Sequence, residues 1–133
     1  MNMNPMEEAK ALRGDTQTHY NCCQSVLVPF CQQMGLTREQ AFQLGAHFGS
    51  GMRHGSTCGA LTGALMVLGA LGYGEEEAHA LLRQFRQEHG ALDCAHLLAA
   101  AKERGQARKD HCDGLVYESV AYLEQLLGQD AAS

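Results

Sequence analysis

The sequence contains no tryptophan and no isoleucine, and only five valines and five threonines. Strands draw on β-branched and aromatic side chains. Their scarcity beside 18 alanines and 17 leucines excludes an all-β or parallel-sheet fold and favours helices. No apolar run approaches the ~20 residues of a bilayer span. The most apolar stretch, residues 58–71, is interrupted by Gly59, Gly63 and Gly69 and reads as a buried core helix. Positive charge is in short supply, with 10 Lys and Arg against 15 Asp and Glu and a net charge of −5. That balance argues against a nucleic-acid partner. Residues 1–8 lack the basic and apolar regions of an export signal, so the expected location is cytoplasmic. There is no CxxC, P-loop, dinucleotide fingerprint or Ser/His/Asp triad.

What is present is a chain of 133 residues, one domain's worth, with helix punctuation throughout. The expected architecture is all-α, a single-domain bundle of six or seven helices over residues 1–133. The first helix opens at Pro5 with Glu7 and Glu8 behind it. A second is expected over residues 19–34, kinked by Pro29. Thr37 and Gln40 form a capping-box pattern for a third, with Ala41, Leu44 and Phe48 on one face and Gly49 as its stop. A glycine-rich loop, residues 49–55, precedes a fourth helix capped by Ser56 or Thr57 and ending near Gly72. A fifth spans residues 75–89 and closes at Gly90. The sixth runs from Asp93 towards Gly105, and the seventh from near Asp110 to Gly128.

Six cysteines are many for a chain of this kind. In the cytoplasm they are reduced, metal-bound or transiently catalytic more often than structural disulfides. Cys22, Cys58, Cys94 and Cys112 each fall in the first turn of an expected helix. A helix N-terminus carries unpaired N–H groups and partial positive charge, and it stabilises the thiolate, which is both nucleophile and metal ligand. Four such ends turned inward can hold an anionic iron–sulfur cluster or two reactive cysteine pairs. Cys23 and Cys31 fit the packing role common for free cysteine. Each of the four, taken singly, also fits that role.

The quoted residues resemble a known family. Asn21-Cys22-Cys23-Gln24-Ser25, then Cys58-Gly59-Ala60-x-x-Gly63 behind the glycine loop, then Cys94, then Cys112-Asp113-Gly114 are similar to the redox-active family named for Cys, GCAxxG or CGAxxG, Cys and Cys. The resemblance covers about residues 19–125. It implies a redox role for Cys22, Cys58, Cys94 and Cys112, and the use of selenocysteine by some members implies chemically active sulfur. A related domain in a split-Soret-type cytochrome implies an iron–sulfur site. Gly59 and Gly63 are candidate cofactor-side residues, with close helix packing as the alternative. Arg53, His54 and His111 are candidate neighbours of an anionic site.

Three functions follow as expectations. The first is an electron-transfer protein whose four cysteines bind an iron–sulfur cluster. The second is metal-free thiol–disulfide chemistry with Cys58 as the attacking thiolate. The third is a structural zinc or interaction module. A redox partner protein is expected for the first, and self-association stays open.

Overall fold

The computed structural model describes residues 3–132; Met1 and Asn2, part of the segment read for an export signal, lie outside the described residues, as does Ser133. The fold is all-α. Seven α-helices follow in order: α1 Pro5–Arg13, α2 Cys22–Leu27, α3 Arg38–Leu44, α4 Gly59–Ala70, α5 Glu75–His89, α6 Cys94–Glu103 and α7 Arg108–Ala132. Among the described residues no helix is long and apolar enough to cross a membrane.

The second and third helices are shorter than the sequence pattern suggests. Asn21 caps α2, accepting from the Gln24 amide while the Gln24 side chain accepts from the Asn21 amide. The chain before it is therefore non-helical, and Cys22 becomes the first helical residue. Pro29 does more than kink the helix. Because it lacks an N–H, α2 gives way to a 3-10 turn, Val28–Phe30, whose three residues are buried. The Thr37–Gln40 capping box opens α3 as read, but the helix stops at Gly45 rather than Gly49. Gly45 lies against α2, where a Cβ would stand 3.1 Å from both Gln24 and Leu27. Leu44 consequently points outward, 49% exposed, instead of sharing the buried face with Ala41.

The core is built around α4. Its Leu61, Ala64, Val67 and Leu68 are buried together with Val26 and Leu27 of α2 and Val116, Val120 and Leu123 of α7. The closeness of α2 and α4 depends on two glycines. A Cβ on Gly63 would sit 3.0 Å from the Cys23 carbonyl and from the Val26 Cβ. A Cβ on Gly59 would sit 2.9 Å from the Phe48 carbonyl and 3.2 Å from the Cys22 Cβ. Such distances leave no room for a side chain. The CGAxxG pattern thus sets the α2–α4 spacing, and Gly63 serves packing.

Candidate functional site

Two backbone devices and one side-chain clamp bring the cysteines together. Gly59 lets the start of α4 lie on the start of α2, which sets Cys58 beside Cys22. An isolated antiparallel bridge pairs Thr57 with Asp93. In it the Cys58 amide donates to the Leu92 carbonyl at 2.9 Å and the Cys94 amide donates to the Ser56 carbonyl at 2.7 Å. The third device is a clamp by Arg13 of α1. Its Nε donates to Asp113 Oδ1 at 2.6 Å and its Nη1 donates to the Tyr20 carbonyl at 2.8 Å. One guanidinium therefore ties the residue after Cys112 to the segment leading into Cys22.

The glycine loop supports the same end. Ser50, Gly51, Met52, Arg53 and Gly55 all have positive φ, so this is a strained reversal rather than a helix. Gly51 is indispensable to it. With φ at +62°, a Cβ there would stand 2.4 Å from the Ser56 carbonyl oxygen and 2.7 Å from the Cys94 Cβ.

Cys22, Cys58, Cys94 and Cys112 line one cavity of about 40 Å³. Leu97, Leu98, Leu115 and Gly59 give it an apolar wall, and Ser50, Arg108 and His111 complete it. Cys58 is buried, and the other three are partly exposed. Their placement on the helices differs in detail from the expectation. Cys22 and Cys94 are first helical residues, Cys58 is itself the N-cap residue of α4, and Cys112 lies one turn inside α7 because that helix begins at Arg108.

The electrostatics single out Cys112. Cys22, as hydrogen-bond partner, stabilises a Cys112 thiolate; burial opposes this, and Arg13 and Arg108 add to it, so the Cys112 thiol is drawn down to about 6. Cys22 moves the other way, through the same bond to Cys112 and through burial. The two sulfurs therefore behave as a pair holding one proton. Burial pushes Cys58 up to about 11, although the amides of Ala60 and Leu61 work against it. Burial likewise raises Cys94. Burial thus opposes the ionisation expected of Cys58 as the attacking thiolate, while the Cys112 thiol is drawn down. The helix start at Cys58 is outweighed by desolvation, and the cations stand beside Cys112 instead.

Arg53 and His54 do not line the cavity. Arg53 Nε donates instead to Nδ1 of His47, in the turn after α3, at 2.9 Å. His111 does line it, 6% exposed, and burial lowers its pKa. The cations that matter, Arg13 and Arg108, carry no signal in the motif. Arg13 lies 100 residues from its Asp113 partner. Cys23 is fully buried in the core with its sulfur 3.8 Å from Met66 Sδ, and Cys31 is buried at the far end of the 3-10 turn.

The donor set suits a soft metal centre. Four sulfurs and one imidazole line the cavity, and no carboxylate does. Arg13 and Arg108 supply positive charge beside thiolates that would otherwise repel one another. Among the described residues, the trio whose ligand atoms all lie within 4.8 Å is elsewhere, at Glu88, His89 and Glu118. The family model described as "Putative redox-active protein (C_GCAxxG_C_C)" matches residues 20–126. No curated protein and no solved structure matches the chain.

Proposed function

The chain belongs to this redox-active family, and from that premise we propose that Cys22, Cys58, Cys94 and Cys112 hold an iron–sulfur cluster used for electron transfer. The observation that carries the reading is one cavity lined by thiols from four helices. A structural zinc ion fits less well, because tetrahedral Zn–S bonds of about 2.3 Å require sulfurs about 3.8 Å apart. Among the described residues the group of three ligand atoms within 4.8 Å of one another is Glu88, His89 and Glu118, so no three of these sulfurs meet that distance. When bound, the cluster supplies one-electron chemistry at a potential set by charge, hydrogen bonds and exposure.

The chain's own residues set those conditions. Arg13 and Arg108 neutralise part of the anionic charge, which raises a reduction potential relative to an uncompensated site. Leu97, Leu98 and Leu115 limit water on the inner side, and the partial exposure of Cys94 and Cys112 leaves a short route outward. Anaerobic reconstitution of the full chain with ferrous iron and sulfide is expected to give visible charge-transfer absorption and one cluster per chain. A reconstituted chain that retains no iron after gel filtration overturns the proposal.

A second reading rests on the Cys22–Cys112 pair. A lowered Cys112 thiol next to a raised Cys22 thiol, with Arg13 and Arg108 acting on Cys112, is the arrangement of a reactive dithiol. In this reading a small disulfide oxidant accepts two electrons and two protons, and a Cys22–Cys112 disulfide forms. Peptide mapping after mild oxidation of the metal-free chain tests it. A Cys22–Cys112 link supports the dithiol, and scrambled linkage removes it.

A further inference from the structure

Cys112 has two sides. One faces the thiol-lined cavity. The other forms part of a separate open groove of about 470 Å³, between the C-terminal end of α1, the segment before α2 and the start of α7. That volume lies within the roughly 300–1,000 Å³ usual for small-molecule sites.

The groove is cationic on an acidic protein. Arg13, His19, Arg108 and Lys109 all line it, although the chain as a whole carries −5. Asp15 is the one carboxylate on its wall, and its Oδ1 is engaged by the amides of Gln17 and Thr18 at 2.8 and 2.9 Å. Asp113, next to Cys112, is occupied as well, with Arg13 on one oxygen at 2.6 Å and Lys109 on the other at 2.8 Å. Arg108 has no carboxylate partner among the described residues. Its Nη2 reaches the Ser50 hydroxyl at 3.5 Å, and its guanidinium also acts on the Cys112 sulfur. Three permanent cations therefore face two carboxylates, and the remaining positive charge, that of Arg108, is shared between the groove and the Cys112 sulfur.

We propose that this groove binds a small anionic molecule, held by Arg108 and Lys109, and places it against the Cys112 end of the four-cysteine site. Its redox meaning rests on the function proposed above, but the groove and its charge do not. A guanidinium without a carboxylate partner offers a planar fork to a carboxylate or phosphate oxygen pair. The anion then displaces water from a site whose cations are already in place.

The test compares two alkylating probes on the reduced, metal-free full chain, iodoacetate with one negative charge and neutral iodoacetamide. Both attack the same sulfur at the same pH, so the ratio of their rates at Cys112 cancels the thiolate fraction. Site-resolved mass spectrometry is expected to show an iodoacetate-to-iodoacetamide ratio at Cys112 about five-fold above that of N-acetylcysteine, shrinking as salt is added. The Arg108→Gln/Lys109→Gln double variant, altered only at exposed positions of α7, should lose that excess. The charge-preserving Arg108→Lys/Lys109→Arg variant should keep it. A ratio equal to that of N-acetylcysteine, or an excess that persists in the Gln variant, overturns the proposal. Iron retention is measured separately on reconstituted wild-type chain, so failure of the groove and failure of the cluster reading are distinguishable.

Discussion

Cys22 and Cys23 are adjacent, yet they belong to two different regions of the molecule. Cys22 opens α2 and lines the thiol cavity, whereas Cys23, about 100° round the helix, is sealed in the core against Met66. The cavity is walled by helix starts, a strained loop and an ion-pair clamp. The core a few ångströms away is held by apolar side chains and two glycines. The comparison shows that cysteine count and burial do not mark the site. What distinguishes the cavity is the convergence of helix starts, a strained loop and a guanidinium clamp on four sulfurs, and the presence of cations that the core lacks.

The largest effect is expected from changing sulfur on one side of that divide. Cys22→Ser, Cys58→Ser, Cys94→Ser or Cys112→Ser should each abolish stoichiometric iron after reconstitution, measured by metal analysis. Cys23→Ser should retain iron and instead lower stability by about 1–3 kcal/mol, because a hydroxyl is placed in an apolar site. Iron loss from Cys23→Ser equal to that from Cys22→Ser would erase the distinction.

Next come the glycines that join the two regions. Gly51→Ala and Gly59→Ala should each cost about 1–3 kcal/mol in denaturant unfolding and should weaken iron retention, since each Cβ would lie within 3.0 Å of a backbone carbonyl. Gly69→Ala is the control. Nothing lies within 4 Å of its Cβ position on an exposed turn of α4, and the substitution should stabilise by about 0.5–1 kcal/mol.

A subtler effect is read from pH. In the reduced, metal-free chain, Cys112 should alkylate with a midpoint near 6, while Cys58 requires pH near 11. The linkage has a definite sign. Between about 6 and the ordinary thiol value of 9.0, the folded chain has released the Cys112 proton and the unfolded chain has not. Stability contributed by this group therefore rises with pH across that window and is lost as pH falls through 6. Titration of urea midpoints from pH 5 to 8.5 checks it, and a flat profile would show that neither Cys22 nor the cations lower the Cys112 thiol in the folded chain.

Much of the fold was legible because its signals are local. Pro5 followed by two glutamates, the Thr37–Gln40 box and Gly90 each act within one turn, and each is found where it was read. The Asn21–Gln24 box was equally local and was overlooked, which placed the start of α2 too early. The four cysteines were legible as a set, through helix position and family pattern together. The features that distinguish Cys112 were not. Arg13 reaches Asp113 across 100 positions, and Arg108 matters because α7 begins before the cysteine rather than at it. No window along the chain holds those partners at once.

The pairing of Thr57 with Asp93 has a practical consequence. It closes α4 and α5 into a hairpin whose two ends are hydrogen-bonded together at the thiols. From there α4 runs out about 18 Å and α5 runs back about 22 Å. The outer tip between Tyr73 and Gly74 is thereby remote from the sulfurs while remaining covalently continuous with two of them. A peptide tag or a tether to a surface spliced into that tip should leave the thiol end undisturbed, giving a handle by which the protein can be held while its chemistry is measured.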